Sequence, residues 1–299
     1  MPPSAHAYAR PDLLIDTATL AGCLDAPDLR VFDCTTILKP DAGGALQAIS
    51  GRADYERGHI PRAGYIDLQQ DLSDPVSRWR FTLPDASRFA AVMQRLGVSD
   101  DARVVLYSTG SYWWATRVWW MLRVFGFTRA AVLDGGFAKW VAEGRPVASG
   151  PAPVAAPAAR FSARFHPEMV VDARAVQAAI DDPAQVVVNA LSAESFAGRG
   201  PSYYGRCGRI RNSVSVPAAS LVAPGSQTML PPDALAAALG PRLTAGATRV
   251  ITYCGGGIAA TGDAFALALL GRDNVAVYDA SLQEWGNDPT LPMEAGGAG

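Results

Sequence analysis

Residues 249–271 have the sequence RVITYCGGGIAATGDAFALALLG. A run of β-branched and aromatic residues ends at Cys254, three glycines follow, and an alanine- and leucine-rich segment comes next. This order predicts a strand, a tight loop and a helix. In an open parallel sheet, ligands bind at the carboxyl ends of the strands. The sequence therefore predicts that Cys254 lies where a ligand would bind.

The predicted surroundings of Cys254 favour its thiolate form. Free N–H groups in a glycine loop and the N-terminal end of a helix both carry partial positive charge. Such surroundings lower the pKa of a cysteine from about 8.5 toward or below neutrality. We therefore expect Cys254 to be a nucleophile.

The signals of this stretch belong to a repeat that extends over the chain. The matched pairs are LRVFD at 29–33 with QVVVN at 185–189, RVVLYS at 103–108 with RVITYC at 249–254, AVLD at 131–134 with AVYD at 276–279, and the helix starts LPD at 83–85 and PPD at 231–233, each with proline just inside the helix. Elements that recur in one order indicate a duplicated α/β domain. Short buried strands that alternate with helices predict a mainly parallel sheet with helices on both faces.

The two copies are separated by a segment rich in proline and alanine. We predict an N-terminal domain at 1–148, a linker at 149–160 and a C-terminal domain at 161–299. Because small ligands often bind between domains, we expect the two halves to pack together and share a cleft.

Composition excludes several classes of function. With 299 residues, a net charge of -2 and a pI near 5.9, the chain has no basic surface for nucleic acid. No apolar run has the length of a membrane span, and the first residues lack the apolar core of a secretory signal, so a cytoplasmic location is expected. The four cysteines have neither the spacing of a zinc site nor the density of a disulfide framework. We expect no metal and no cofactor; the oligomeric state stays open.

The repeat also provides an internal comparison for Cys254. Its counterpart in the first half is Ser108, and the loop after Ser108 is aromatic rather than glycine-rich. A serine without a base nearby is a poor nucleophile. We therefore expect the first half to be non-catalytic, its aromatic segment 113–125 to pack in the core, and the chemistry to lie in the second half.

These features resemble the tandem-domain rhodanese-like sulfurtransferases, which include thiosulfate and 3-mercaptopyruvate sulfurtransferases. The resemblance covers nearly the whole chain and rests on GHIP at 58–61, DGG at 134–136 with Trp140, and CGGGIA at 254–259. It implies that the Cys254 thiolate takes a sulfane sulfur from thiosulfate or 3-mercaptopyruvate and holds it as a persulfide. The sulfur then passes to a thiol or cyanide. The resemblance also implies that the loop residues hold the anionic substrate; they are Gly255, Gly256, Gly257, Ile258 and Ala259.

Departures from the family pattern leave the substrate contacts open. The loop is closer to the mercaptopyruvate pattern, but Gly256 and Ala259 stand where hydroxyl residues are usual. Ser195 occupies a position where the family has an arginine. We expect Arg199, or second Arg206, to bind the donor in its place.

Two further residues have two interpretations each. His59 is either a base that acts across the domain cleft or, in the interpretation we favour, a residue that hydrogen-bonds its own loop. Asp263 either pairs with a base or, as we expect, is solvated.

Two other functions compete with sulfur transfer. A cysteine phosphatase of the same fold needs an arginine in the loop after the cysteine, and residues 255–262 contain no Arg or Lys. A non-catalytic, sulfur-binding or scaffold protein is the alternative that the sequence leaves open.

Overall fold

The computed structural model describes residues 7–152, 156–158 and 160–296. The first half contains strands β1 (Leu14–Ile15), β2 (Leu29–Asp33), β3 (Thr36–Pro40), β4 (Leu46–Ser50), β5 (Gly64–Tyr65), β6 (Arg103–Tyr107) and β7 (Ala130–Leu133), and helices α1 (Thr17–Cys23), α2 (Arg52–Arg57), α3 (Leu68–Asp71), α4 (Ala86–Arg95), α5 (Trp113–Val124) and α6 (Gly136–Ala142). The second half contains strands β8 (Val170–Val171), β9 (Gln185–Asn189), β10 (Arg209–Ile210), β11 (Val214–Ser215), β12 (Arg249–Tyr253), β13 (Val275–Tyr278) and β14 (Met293–Glu294), and helices α7 (Ala173–Ala179), α8 (Ala193–Phe196), α9 (Pro232–Leu239), α10 (Ala259–Leu269) and α11 (Ser281–Trp285).

Each half forms a five-stranded parallel sheet, and the two sheets have equivalent strand orders. The first is β1-β7-β6-β2-β5 and the second is β8-β13-β12-β9-β11. The register agrees as well, because Asp33 pairs with Tyr107 and Asn189 pairs with Tyr253 at the ends of the central strands. The predicted duplicated α/β fold is confirmed. The antiparallel hairpin β3–β4 belongs to the first half and has no counterpart among the described residues of the second.

Aspartates begin equivalent helices in the two halves. The Asp16 carboxylate accepts the Thr19 N–H before α1, and Asp172 accepts the Ala175 N–H before α7. One prediction about helix starts was wrong for the first half. Asp85 caps α4, so Pro84 lies before the cap rather than inside the helix; in the second half Pro232 is the first residue of α9.

Helices α5 and α10 pack against each other between the two sheets. Every side chain from Ala260 to Leu269 is buried, as expected for a helix that is apolar on all sides. The ring of Trp119 on α5 meets that of Phe265 on α10 edge-on, with centroids 4.9 Å apart. The prediction that the aromatic segment lies in the core is confirmed. One apolar cluster contains buried side chains from both halves.

The segment between the halves runs partly along the first half. Ala148 pairs with His59, and the N–H of Gly150 donates to the carbonyl of Glu56. The predicted linker at 149–160 includes residues 153–155 and 159, which lie outside the described residues. The boundaries at 148 and 161 stay predictions. Among the described residues, no helix is long and apolar enough to cross a membrane.

Candidate active site

Cys254 lies directly after strand β12, before the loop that leads into α10. Its side chain is 2 % exposed and faces a cavity of about 190 Å³ together with Gly255, Gly256, Ile258 and Ala259. The predicted strand, loop and helix are thus present at the carboxyl edge of the second sheet.

The N–H groups of this loop fall into two sets. Those of Cys254 and Gly257 donate to the Oγ of Ser281, at 3.1 and 3.2 Å. The Ser281 hydroxyl itself donates to the carbonyl of Tyr278 at 2.7 Å. In the described part of the chain, no acceptor is found for the remaining loop N–H groups, which are those of Gly255, Gly256, Ile258 and Ala259. Four of the five loop residues expected from the sequence therefore have a free N–H, while that of Gly257 supports the loop.

At two positions of the loop, neighbouring atoms leave no room for a side chain, so glycine is required. A Cβ at Gly255 would overlap the ring of Tyr204. Gly257 has a φ of +74°, and a Cβ there would lie 2.5 Å from the carbonyl oxygen of Asp279. The glycine run thus allows both a left-handed turn and the close approach of Tyr204.

A buried arginine from the first half supports the Cys254 loop. Arg117 on α5 is fully buried, and its Nη1 lies 2.7 Å from the Asp279 carboxylate and donates to the Gly257 carbonyl at 3.1 Å. Its Nη2 donates to the carbonyl of Phe81. Asp279 also accepts the N–H of Leu83 at 2.8 Å. The ion pair therefore fixes the Cys254 loop to two segments of the first half.

The first half also forms one wall of the cavity. Leu38 and Leu46 come from the hairpin β3–β4, and Phe81 and Trp113 come from the segments before α4 and at the start of α5. Arg80 lines the cavity too. The shared cleft expected from the sequence is present. The first half, which we expected to be non-catalytic, contributes five of the side chains that line it.

Tyr204 lines this cavity and an adjacent one of about 260 Å³, which we call the outer cavity. Three leucines also line both cavities: Leu38, Leu46 and Leu191. The ring of Tyr204 lies against Gly255. Burial, followed by the nearby charge of Cys254, raises the pKa of the Tyr204 phenol, so the phenol keeps its proton at neutral pH. A protonated phenol beside Cys254 can donate a hydrogen bond.

The two predicted arginines lie at the second cavity and not at the first. Arg199 is exposed and lines the outer cavity with Ser195 and Cys207. Arg206 also lines it, but its guanidinium donates to main-chain carbonyl groups at 285, 286, 288 and 291. The structure therefore brings neither of them into the cavity that contains Cys254.

Comparison with known proteins agrees with this architecture. Residues 19–143 and 172–288 each match the rhodanese-like domain family. The chain belongs to the rhodanese-like family. The 3-mercaptopyruvate sulfurtransferase of Escherichia coli (strain K12) is 32% identical over 277 residues, covering 92% of this chain and 95% of that protein. The thiosulfate sulfurtransferase of Rattus norvegicus is 32% identical over 266 residues, covering 87% and 85%. The crystal structure of SseA from Escherichia coli matches with a TM-score of 0.79 at 30% identity, covering 90% of this chain and 98% of that one.

In this rhodanese-like protein, His59 contacts residues of its own half. Its ring stacks on Tyr55 with centroids 4.0 Å apart, and Nδ1 lies 2.8 Å from the Tyr55 carbonyl oxygen. The residue is buried and its main chain pairs with Ala148. These contacts favour the interpretation in which His59 holds its own loop.

The expectation for Asp263 was wrong. The side chain is fully buried in α10 of this rhodanese-like protein, and neither oxygen has a hydrogen-bond partner among the described residues. Burial raises the pKa of Asp263 well above its ordinary value and so favours the neutral form of the carboxyl group.

All four cysteines are free, and none forms a disulfide. Cys34 is buried and Cys207 is exposed. In the ranges that the structure describes, no group of three or more His, Cys, Asp or Glu side chains is placed to hold a metal ion.

Sequence reasoning missed four residues of this site: Arg80, Arg117, Tyr204 and Ser281. A signal existed for Arg117, because a cation in the middle of the apolar run of α5 requires a buried partner. Arg80 and Tyr204 lie in loops and Ser281 begins α11. Only the tertiary fold brings these three residues together, and no local pattern identifies them.

Proposed function

We propose that Cys254 is the residue on which this rhodanese-like protein carries sulfur, as a persulfide. The protein is a sulfurtransferase, as are its relatives named for 3-mercaptopyruvate and thiosulfate. The observation that carries the proposal is a buried cysteine that faces a cavity beside four loop N–H groups without acceptors.

The reaction has two displacement steps. With 3-mercaptopyruvate, the Cys254 thiolate attacks the thiol sulfur; the carbon–sulfur bond breaks, and pyruvate leaves as its enolate and takes a proton. With thiosulfate, the thiolate attacks the outer sulfane sulfur; the sulfur–sulfur bond breaks and sulfite leaves. An acceptor thiolate or cyanide then attacks the outer sulfur of the persulfide, and the Cys254 thiolate is regenerated. The proposed acceptors are a thiol or cyanide.

The loop would stabilise each anion in this sequence. The free N–H groups of Gly255, Gly256, Ile258 and Ala259 can donate to the thiolate, to the persulfide and to the charge on the transferred sulfur. The protonated Tyr204 phenol supplies one more donor. Arg199 stays our proposal for a contact with anionic substrates at the outer cavity. Arg206 is the weaker candidate because its N–H groups already bind carbonyls. The cytoplasmic location also stays a prediction.

Mass spectrometry tests the proposal directly. Incubation with 3-mercaptopyruvate or thiosulfate should add about 32 Da, one sulfur atom, to the peptide that contains Cys254. The Cys254→Ser variant should fold normally and lose sulfur transfer, while Cys207→Ser should keep it. An adduct on Cys207 alone would move the function to that residue, and no adduct with either donor would favour the non-catalytic alternative.

A further inference from the structure

We infer that the donor used by Cys254 is an organic monoanion with an apolar body, and that Arg80 of the first half binds its charged group. This inference rests on the proposed role of Cys254 and specifies the class of donor.

Most of the wall around Cys254 is apolar. Leu38, Leu46, Phe81, Trp113 and Leu191 line the cavity and belong to both halves of the chain. All of these except Phe81 are only half-buried, so each keeps apolar surface that a ligand can cover. A small, strongly hydrated dianion would lose its water here and gain few polar contacts.

Arg80 is the one cationic side chain among the described residues that line this cavity, and no carboxylate lines it. Its main chain is fixed by Gln283, which accepts the Arg80 N–H at 3.1 Å and donates to its carbonyl at 2.8 Å. The guanidinium donates to the Leu46 carbonyl. Among the described residues, no acceptor is found for its other N–H groups, which are available to a ligand.

The charge balance of the cavity matches a monoanion. One guanidinium can neutralise one negative charge, whereas a second charge in an apolar cavity would stay uncompensated. Arg199 does not supply the missing cation, because it lines the outer cavity and not the cavity that contains Cys254. Under the proposed function the free N–H groups of the loop donate to the charged sulfur of Cys254, so they are not counted toward the charged group of the donor.

The volume is sufficient for an apolar body of useful size. An apolar cavity of about 150 Å³ can hold benzene, and this cavity measures about 190 Å³. A thiosulfonate with an aryl group satisfies both conditions, since it is a monoanion and carries a ring. In the transfer step the Cys254 thiolate attacks its sulfane sulfur, the sulfur–sulfur bond breaks, and the sulfinate leaves with the electron pair.

Three sulfur donors separate the contributions that the apolar body and the charge of the donor make to kcat/KM. Benzenethiosulfonate and methanethiosulfonate share charge and reacting group, whereas thiosulfate is a dianion. Transfer to cyanide is measured for each, and kcat/KM is divided by the rate of the same donor with a small thiol in solution, which removes differences in intrinsic reactivity. We expect the normalised kcat/KM to be at least about tenfold higher for benzenethiosulfonate than for methanethiosulfonate, and lowest for thiosulfate.

Variants test Arg80 separately. Arg80→Gln should raise KM for both thiosulfonates by about tenfold or more, mainly without lowering kcat, because a charge-assisted contact to the donor is lost. Arg78→Gln is the matched control, since Arg78 lies two residues away, is exposed and packs on Trp79. The rate at which iodoacetamide alkylates Cys254 should be equal in both variants, which shows that the loop is intact.

The outcomes are distinguishable. Sulfur transfer with equal normalised kcat/KM for the two thiosulfonates, or with Arg80→Gln indistinguishable from Arg78→Gln, overturns this inference and leaves the proposed function standing. Transfer from 3-mercaptopyruvate but from neither thiosulfonate overturns this inference alone. A Cys254 that accepts sulfur from none of the three donors and not from 3-mercaptopyruvate overturns the proposed function, and this inference with it.

Discussion

At residue 281 the chain adopts a conformation that serine rarely takes. Ser281 has a φ of +53°, and the equivalent residue that begins α6 in the first half is Gly136, with a φ of +57°. The left-handed conformation thus belongs to the repeat, and a non-glycine residue there costs about 1–3 kcal/mol. In the second half the Ser281 hydroxyl accepts two N–H groups of the Cys254 loop. Support of that loop explains why a strained serine is present.

Two substitutions at this position separate strain from hydrogen bonding. Ser281→Gly and Ser281→Ala both remove the acceptor, and we expect each to lower kcat/KM for sulfur transfer about 10- to 100-fold, since a lost buried hydrogen bond costs about 1–3 kcal/mol. Thermal unfolding should show a higher Tm for Ser281→Gly than for Ser281→Ala, because glycine relieves the strain. Wild-type kcat/KM in Ser281→Gly would show that the hydroxyl does not hold the loop.

Asp263 predicts a specific dependence of stability on pH. Its pKa in the fold lies well above the ordinary value of 3.8, so between these two values the native chain holds one more proton than the unfolded chain. The free energy of unfolding therefore falls as pH rises in this window, by about 1.4 kcal/mol per pH unit from this group. Asp263→Asn should remove this term and unfold at higher denaturant concentration than wild type, with a difference that grows from pH 4 upward.

Denaturant titrations at several pH values measure this effect. Asp101→Asn is the control, because Asp101 is exposed in a turn of the first half. The interpretation of Asp263 as a buried neutral acid would be wrong if the two variants differed from wild type by the same amount at every pH.

Helix α5 links the first half to the Cys254 loop of the second. Through Arg117 it contacts Asp279 and the carbonyl of Gly257, and both contacts are buried. Arg117→Met should destabilise the fold by about 3–5 kcal/mol, because Asp279 would be left buried without its cation. Since the Gly257 carbonyl would also lose its donor, kcat for sulfur transfer should fall as well.

The control for this helix is Arg123→Met. Arg123 lies on α5 over the ring of Trp119 and does not contact the Cys254 loop. We expect it to keep wild-type kcat, as measured by transfer to cyanide, while Arg117→Met/Asp279→Asn should recover part of the lost stability without recovering kcat. Full kcat in Arg117→Met would show that the loop holds its geometry without α5.

The strands, helices and loops around Cys254 show how far local sequence can predict this site. The repeat predicts the two equivalent sheets and shows that Cys254 and Ser108 hold equivalent positions. Both follow from the sequence because periodic patterns of apolar residues identify strands and helices. Arg80 and Tyr204 could not be predicted, since they meet Cys254 only through the packing of the two halves and of a long loop. The prediction of Arg199 relied on closeness in sequence to Ser195, but Arg199 lines the outer cavity and not the cavity that contains Cys254.

For the molecule as a whole, the shared core suggests that the two halves unfold together. The cluster that contains Trp119 of the first half also contains Phe265 of the second, and both side chains are almost fully buried. Chains with two domains often unfold in separate steps. Here separation would expose the faces of α5 and α10, whose residues are nearly all buried, so neither half should be stable by itself.

Differential scanning calorimetry of the full chain should therefore show one transition, with a calorimetric enthalpy equal to the van't Hoff enthalpy. Phe265→Ala leaves a cavity between the halves, and we expect it to cost about 3–5 kcal/mol and to lower the Tm of that single transition. Phe165→Ala should change the Tm little, because Phe165 is 48% exposed. The opposite result would be two resolved transitions in the wild-type protein, of which Phe265→Ala shifts only the one assigned to the second half. That result would show that the core is divided. Helix α5 would then hold the Cys254 loop through the Arg117 contacts alone.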